Sequence, residues 1–408
     1  MLEAAILDAV ENIQAGSSVP MGGYCQFPTS APDLITQGTS QYLVNGAAVD
    51  YEAKYLPSVT RAPWLSHDAL TTGLTADSVQ TLFNVVKYSN GYIVIGGTSG
   101  IHTYFSSNGT SFVEATGSFA SNNALATDGT YVCRASTTSG YVAYSTNGSG
   151  AWSNIPATAI AGVPTVILYG PAGWFAAYSM NGTASEYATK TGLPYDAAWT
   201  LRNAGPNIIQ TLRGGAVYGS NYFVYGNAPT TGLATIYKST TIELGSWTAV
   251  YTTPYTSAPT GFVYTGSKYL LSDEAGHIFS STNLSTWGLL ATAPTGITSI
   301  KTISSNGAGV VVICGLTGAD KVVTISTDHG ATWTAITRTK DVTWSSSTGT
   351  APAFIFTGSG SECFVASNYA SNVFSIFKTE YSAINTNRWV GSTEVSTVAP
   401  GKTYVRIL

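Results

Sequence analysis

The sequence has few charged residues. Asp, Glu, Lys and Arg make up 9% of its 408 residues, and its 17 Lys and Arg form no run. A phosphate backbone is bound by clusters of basic side chains, so this composition argues against nucleic-acid binding. No apolar stretch approaches the roughly 20 residues that a membrane-spanning helix needs. We therefore expect neither a nucleic-acid partner nor membrane insertion.

Cysteine is scarce as well. The four cysteines are far apart and form no CxxC pair: Cys25, Cys133, Cys314 and Cys363. Zinc sites and disulfide frameworks depend on closely spaced cysteines. The sequence therefore predicts small buried thiols, with no metal site and no cofactor.

The first residues lack the basic start of a secretory signal and are acidic instead. We expect synthesis in a cytoplasm without export by a classical signal. Leu2, Ile6, Val10 and Ile13 recur at helical spacing. This pattern predicts a short amphipathic helix within residues 1–18. A helix this short is only marginally stable alone in water, so its apolar side must pack on another surface. We therefore expect it to serve attachment or oligomerisation.

What the sequence has in abundance is a repeat. Seven times a turn is followed by an aromatic residue, at intervals of 40 to 56 residues: Phe112, Trp152, Trp199, Trp247, Trp287, Trp333 and Trp389. This interval is the length of a four-stranded blade. The repeat predicts an all-β fold with a seven-bladed β-propeller; six or eight blades are the alternatives if the long final copy hides a further hairpin.

The clearest copy of the turn is Ser326–Trp333, with the sequence STDHGATW. It resembles the Asp-box turn of sialidases and many other propellers, and Ser145–Trp152 and Ser280–Trp287 are degenerate copies. We expect the Asp or Asn to accept hydrogen bonds from the amides of its own turn and Gly to supply a positive φ. The Trp would fill the gap between neighbouring hairpins. The motif therefore predicts a structural role.

Residues 19–63 differ from the repeat, with Val19-Pro20-Met21-Gly22-Gly23, Tyr42-Leu43-Val44-Asn45-Gly46 and Tyr51–Leu56 in order. They resemble the collar-type module of tailed-bacteriophage tail fibres, although Tyr42 and Val44 replace its usual Trp and Cys. The resemblance implies a virion tail component that is assembled in a host cytoplasm. It also implies that residues 1–63 bind other tail or baseplate proteins, and that the chain is a homo-oligomer, as a trimer.

The domain organisation follows from these features. We predict the helix in residues 1–18, the collar-like module in 19–63, a connector in 64–81 and the propeller in 82–408. Either the last strand, residues 403–408, or the segment before Phe83 would close the ring.

The residues do not favour an enzyme. A sialidase-like hydrolase needs three arginines converging on a carboxylate, together with a Tyr–Glu pair and an acidic Asp. Arg134, Arg213 and Arg338 come from different blades, and nothing in the sequence places them on one face. The densest polar cluster, residues 272–277, is interpreted as a turn between the second and third strands of a blade. No catalytic residue is assigned.

Nucleic-acid binding, membrane insertion and catalysis are thus disfavoured, which leaves recognition of a ligand as the predicted function. Five tyrosines in loops are candidates for receptor binding, because aromatic faces bury area at little entropic cost: Tyr187, Tyr195, Tyr251, Tyr255 and Tyr369. The sequence predicts a non-enzymatic tail-fibre or baseplate protein whose propeller binds a host-surface glycan or protein. A sialidase-like glycan hydrolase and a secreted lectin-like propeller are the alternatives.

Overall fold

In the computed structural model, the described residues are 84–335 with short gaps and parts of 354–364; outside them only the backbone of short strands is described. The contacts divide the chain into two units, Met1–Trp64 with Asn385–Leu408, and Leu65–Ile384. In the first unit, Tyr24–Gln26, Thr403–Arg406 and Trp389–Val390 form one sheet, and Ser40–Val44 pairs with Ala47–Tyr51. The predicted helix in residues 1–18 lies outside the described residues.

The second unit is a β-propeller. Its regular blades are sheets of four antiparallel strands in sequence order, numbered here from the N-terminus. The first three blades have these strands: blade 1, Thr81–Tyr88, Gly91–Gly97, His102–Ser106 and Val113–Glu114; blade 2, Leu125–Thr127, Val132–Ala135, Val142–Ser145 and Ser153–Asn154; blade 3, Val166–Gly170, Gly173–Ala177, Tyr187–Lys190 and Thr200–Arg202.

The next three blades repeat the pattern. Their strands are: blade 4, Thr211–Tyr218, Asn221–Asn227, Ala234–Ser239 and Thr248–Thr252; blade 5, Pro259–Tyr264, Tyr269–Asp273, Ile278–Ser281 and Gly288–Leu289; blade 6, Ser299–Ser305, Val311–Thr317, Asp320–Ser326 and Thr334–Ala335. Two short strands, Trp64–Leu65 and Thr337–Arg338, lie outside the blades.

The described part of the chain thus has six four-stranded blades, and the prediction of seven was wrong. The remaining sheet has five strands: Val342–Thr343, Phe354–Phe356, Glu362–Tyr369, Val373–Glu380 and Leu74–Thr75. The outer strand of this sheet is Leu74–Thr75, which precedes blade 1 in the sequence. The seventh aromatic repeat instead lies in Trp389–Val390, a strand that pairs with Thr403–Arg406 in the other unit. The last repeat therefore does not complete a regular blade.

The five-stranded sheet closes the ring. Phe354–Phe356 contacts the first strand of blade 6 and the first strand of blade 1. The segment before Phe83 supplies the outer strand Leu74–Thr75, whereas Thr403–Arg406 pairs with Tyr24–Gln26 in the other unit. The domain bounds 19–63, 64–81 and 82–408 stay predictions.

The second strand of each blade is the most buried. Val311, Val312 and Ile313 in blade 6 are at most 1% exposed, as are residues 174–177 in blade 3. A strand with a sheet on each side is buried on both faces, which explains its continuous apolar run. Cys133, Cys314 and Cys363 are buried thiols, as the sequence predicted. Burial raises the pKa of the Cys314 thiol to about 12.

The first six of the repeated aromatic residues lie between neighbouring sheets of the propeller. Trp152 of blade 2 packs against Tyr88 and Ile93 of blade 1. Phe112 of blade 1 packs against Phe364 of the five-stranded sheet, with ring centroids 6.2 Å apart. Each such ring joins its own blade to the preceding one, which confirms the role that the sequence predicted.

The turns before these aromatics also form as predicted, with one correction. The amide of Thr332 donates to Asp328 Oδ1 at 2.8 Å, and the Ser326 hydroxyl donates to the same oxygen at 2.7 Å. In the blade 5 copy the serine is Ser281, not Ser280. The Ser281 hydroxyl donates to Asn283 Oδ1 and accepts a hydrogen bond from the amide of Leu284. Ser281 takes this role because it lies two positions before the Asn, as Ser326 lies two positions before Asp328.

Candidate functional site

The propeller has two faces that carry different connections. Because the strands of a blade are antiparallel and in sequence order, the turns after the first and third strands lie at one end of the blade. The turns after the second strand and the links between blades lie at the other end. Tyr195 follows the third strand of blade 3, and Tyr255 lies in the link between blades 4 and 5. We call the two sides the Tyr195 face and the Tyr255 face.

On the Tyr195 face, three tyrosines from two blades meet. The ring of Tyr195 stacks on Tyr144, with centroids 5.0 Å apart and planes 16° apart. Tyr131 meets the same ring edge-on at 5.3 Å, and the Tyr131 and Tyr195 hydroxyls are 3.2 Å apart. Tyr195 remains 42% exposed. We call these three residues the Tyr195 cluster.

The loop that carries Tyr195 is held on both sides. Lys190 Nζ forms an ion pair with Asp196 Oδ1 at 2.6 Å, and the Lys190 side chain is only 10% exposed. The indole of Trp199 donates to the carbonyl of Pro194 at 2.8 Å. The hydrogen bond with Tyr131 raises the pKa of the Tyr195 phenol. The exposed ring is therefore preorganised, which lowers the entropy cost of binding to it.

On the Tyr255 face, a histidine is oriented by a buried carboxylate. His277 Nδ1 lies 2.8 Å from Asp273 Oδ2, and Asp273 is 1% exposed. Asp273 Oδ1 accepts hydrogen bonds from the amides of Ala275 and His277. Tyr255 stacks on the His277 ring at 4.1 Å. We assign the proton to Nδ1, because that atom faces a carboxylate. The turn between the second and third strands forms here as predicted.

The other predicted tyrosines have different surroundings. Tyr251 stacks on Trp287 at 4.8 Å and packs on Phe279, where blades 4 and 5 meet. Tyr187 is 0% exposed, so it belongs neither to the Tyr195 cluster nor to the stack of Tyr255 on His277. The backbone of Tyr369 lies in Glu362–Tyr369, and its side chain lies outside the described residues.

The arginines do not form a carboxylate-binding site among the described side chains. Arg134 is 3% exposed, donates to Thr103 Oγ1 at 2.8 Å and lies over the Trp152 ring at 4.0 Å. Desolvation lowers the pKa of this guanidinium to about 8. Arg213 is exposed on blade 4, and the side chain of Arg338 lies outside the described residues. Arg134 thus serves the interface between blades 1 and 2.

The described residues form neither a metal-binding cluster nor a membrane-spanning helix. No group of three or more His, Cys, Asp or Glu side chains there is arranged to hold a metal ion. That part of the chain contains no helix long and apolar enough to span a bilayer.

Sequence reasoning found Tyr195 but missed Tyr131 and Tyr144, which complete its cluster. Tyr131 directly precedes a strand and Tyr144 lies within one, so both had the pattern of ordinary blade residues. Their approach to Tyr195 depends on how blade 2 packs against blade 3. No local signal in the sequence marks that contact.

Comparison with known proteins shows the fold alone. No family model matches the sequence, and no curated protein matches it. The structure of YCF48 bound to D1 peptide is similar over 78% of this chain and 97% of that one, with 14% identity and a TM-score of 0.54. The WD40 β-propeller domain of Doa1 matches over 78% and 99%, with 10% identity and a TM-score of 0.50. A prolyl endopeptidase matches over 84% and 51%, with 11% identity and a TM-score of 0.50. The chain is a β-propeller, and these neighbours include a protein bound to a peptide and an enzyme.

Proposed function

We propose that this chain is a non-enzymatic recognition protein of a virion tail, whose propeller binds a glycan or protein on a host surface. The observation that carries the recognition role is the Tyr195 cluster, an exposed ring that two tyrosines and a braced loop hold in place. Exposed aromatic rings are common anchors of recognition surfaces. This cluster lies on a propeller face built from turns.

Attachment is assigned to residues 1–63. The order of the elements in residues 19–63 supports it through the resemblance to the collar-type module of tail fibres. Met1–Trp64 together with Asn385–Leu408 forms a contact unit of its own, which supports a module distinct from the propeller. In this proposal the partners are other tail or baseplate proteins, the chain is a homotrimer, and its location is the virion tail.

A non-enzymatic role is supported by how the charged groups are used. Arg134 is buried against Trp152, and Asp273 holds a turn and the Nδ1 edge of His277. A sialidase-like reaction needs arginines that are free to receive a carboxylate. The buried guanidinium of Arg134 does not meet this requirement.

Two measurements test the attachment half of the proposal. Gold-labelled antibodies against the chain should mark the tails of the particles that carry it, and light scattering of the full chain should give about three times the 42.5 kDa of one chain. Unlabelled particles would contradict the virion role. A stable monomer would contradict the fibre assembly.

Competition tests the recognition half. The purified full chain, added in excess to host cells, should slow adsorption of the particles by occupying their receptors. The Tyr195→Ala variant should slow adsorption less than the original chain. Tyr178 is 44% exposed on the Tyr255 face, so Tyr178→Ala is a matched control that should act like the original chain. Adsorption that is unaffected by the full chain would contradict the recognition role.

A further inference from the structure

The Tyr195 cluster combines an apolar ring face with a polar rim. Tyr144 stacks against one face of the Tyr195 ring, Tyr131 meets the same ring with planes 63° apart, and Tyr195 keeps 42% of its surface exposed. The hydroxyls of Tyr131 and Tyr195 share one hydrogen bond, which leaves one of their two hydrogens free to donate. Asp196 is adjacent in sequence, and its side chain is 46% exposed.

The charges near the ring restrict what it can bind. Lys190 is the cation of this loop; it is paired with Asp196 at 2.6 Å and its side chain is 10% exposed. No free cation of the loop is therefore available to a phosphate or a carboxylate. The Asp196 side chain is 46% exposed and that of Lys190 only 10%, so the negative member of the pair is the one that meets solvent, which disfavours an anionic ligand. The surface favours an uncharged ligand.

The size and chemistry of the cluster indicate which uncharged ligand fits. A protein partner needs about 800 Å² of surface on each side, far more than one tyrosine ring offers. A pyranose ring has an apolar C–H face that covers one aromatic ring, with hydroxyls around its edge. Those hydroxyls match the phenol and carboxylate oxygens that surround Tyr195.

We propose that the Tyr195 cluster is a subsite for a neutral sugar, which stacks on the free face of Tyr195 and forms hydrogen bonds with the Tyr131 and Tyr195 hydroxyls and with Asp196. This inference deepens the proposed recognition function and rests on it. It narrows the host ligand to a glycan with an uncharged residue at the point of contact. No covalent step is involved.

Saturation-transfer NMR on the full chain tests the subsite, with methyl β-glucoside, methyl β-galactoside and methyl α-sialoside as probes. Saturation of the aromatic protons should reach the ring C–H protons of at least one neutral sugar, and the sialoside should give a weaker signal. Tyr195→Ala should weaken the binding about tenfold, whereas Tyr195→Phe keeps the ring and should stay within about threefold. Tyr178→Ala should bind as the original chain does.

Three results would overturn the subsite: no signal from either neutral sugar, stronger binding of the sialoside, or binding that survives Tyr195→Ala. Circular dichroism would check that each variant is folded. If Tyr195→Ala does not fold, Asp196→Asn with Lys190→Met removes the charged pair, and sialoside binding should then rise relative to neutral sugar; an unchanged ratio would overturn the charge argument.

Treatment of the host cells separates this inference from the proposed function. Periodate oxidation of surface sugars should abolish the difference in adsorption between the original chain and Tyr195→Ala. A Tyr195-dependent effect that resists periodate but is lost after protease treatment would overturn the sugar subsite in favour of a protein ligand, and recognition would stand. Sugar binding without any effect on adsorption would support the subsite and overturn the role in host attachment.

Discussion

The phenol of Tyr92 donates a 2.7 Å hydrogen bond to Glu362 Oε2 across 270 positions of sequence. The contact joins the second strand of blade 1 to the five-stranded sheet. Lys87 Nζ, at 3.3 Å, and Thr357 Oγ1, at 2.7 Å, bond the other oxygen of the same carboxylate. The two ends of the ring are thus joined by polar contacts as well as by strand pairing.

Removing the Tyr92 hydroxyl should weaken the closure. Tyr92→Phe keeps the ring, which packs on Phe364 at 5.2 Å, and removes the hydroxyl that donates to the carboxylate. Hydrogen bonds to charged groups contribute about 1.5–3 kcal/mol. We expect a loss in the free energy of unfolding near the lower value, because Lys87 and Thr357 still bond Glu362. Urea unfolding measures it.

The control is Tyr178→Phe, which changes a tyrosine that is 44% exposed. Its unfolding free energy should match that of the original chain within about 0.5 kcal/mol, as for most surface substitutions. Equal losses in the two variants would contradict a role for Tyr92 in closing the ring.

The repeat predicted the blades because each aromatic has a specific physical task. Trp152 packs against Tyr88 and Ile93 of the preceding blade, so a ring is needed once per blade and its spacing records the blade length. The same reasoning failed at Trp389, where the turn and the aromatic recur but the strand pairs with Thr403–Arg406. A local pattern specifies a strand, and it does not specify that strand's partner.

The closure of the ring and the candidate site were harder to predict, because both depend on contacts between distant segments. Leu74–Thr75 is too short to show any periodicity, yet it forms the outer strand of the last sheet. The Tyr131 and Tyr195 hydroxyls meet across 64 positions. Only the packing of one blade on the next brings those rings together.

The turn of blade 6 should make stability depend on pH in acid. Burial raises the pKa of Asp328, but hydrogen bonds from Thr332 and Ser326 lower it more, to about 2. The unfolded value is about 3.9, so the contribution of this carboxylate is present above about pH 4 and is lost as the pH falls towards 2. Thermal melts from pH 5 to pH 2 measure this loss.

The matched variant is Asp328→Asn, because Asn147 and Asn283 occupy the corresponding position in sister turns, where each accepts a hydrogen bond from the amide three residues ahead. Between pH 4 and pH 2 its melting temperature should fall less steeply than that of the original chain. Parallel curves would show that Asp328 contributes nothing to the acid sensitivity.

Gly148 should tolerate alanine much less well than Gly219, although both have a positive φ, of 68° and 61°. A Cβ at Gly148 would contact the Ile93 side chain and lie 2.6 Å from the Tyr88 hydroxyl, whereas a Cβ at Gly219 meets nothing within 4 Å. The left-handed conformation alone costs alanine about 1 kcal/mol. We expect that loss for Gly219→Ala and about 2–3 kcal/mol for Gly148→Ala, where overpacking is added. Urea unfolding compares them; similar losses would mean that strain alone limits Gly148.

Trp199 should stabilise the Tyr195 loop, whereas Trp247 should not. Both rings fill gaps between blades and are at most 7% exposed. The Trp199 indole donates to the carbonyl of Pro194, whereas the Trp247 indole nitrogen has no hydrogen-bond partner among the described residues. Trp199→Phe should therefore lose about 1–3 kcal/mol more than Trp247→Phe, because it leaves a carbonyl unsatisfied. It should also speed amide hydrogen exchange in residues 191–196, which Trp247→Phe should leave unchanged. Equal losses with unchanged exchange would show that the loop is held without this hydrogen bond.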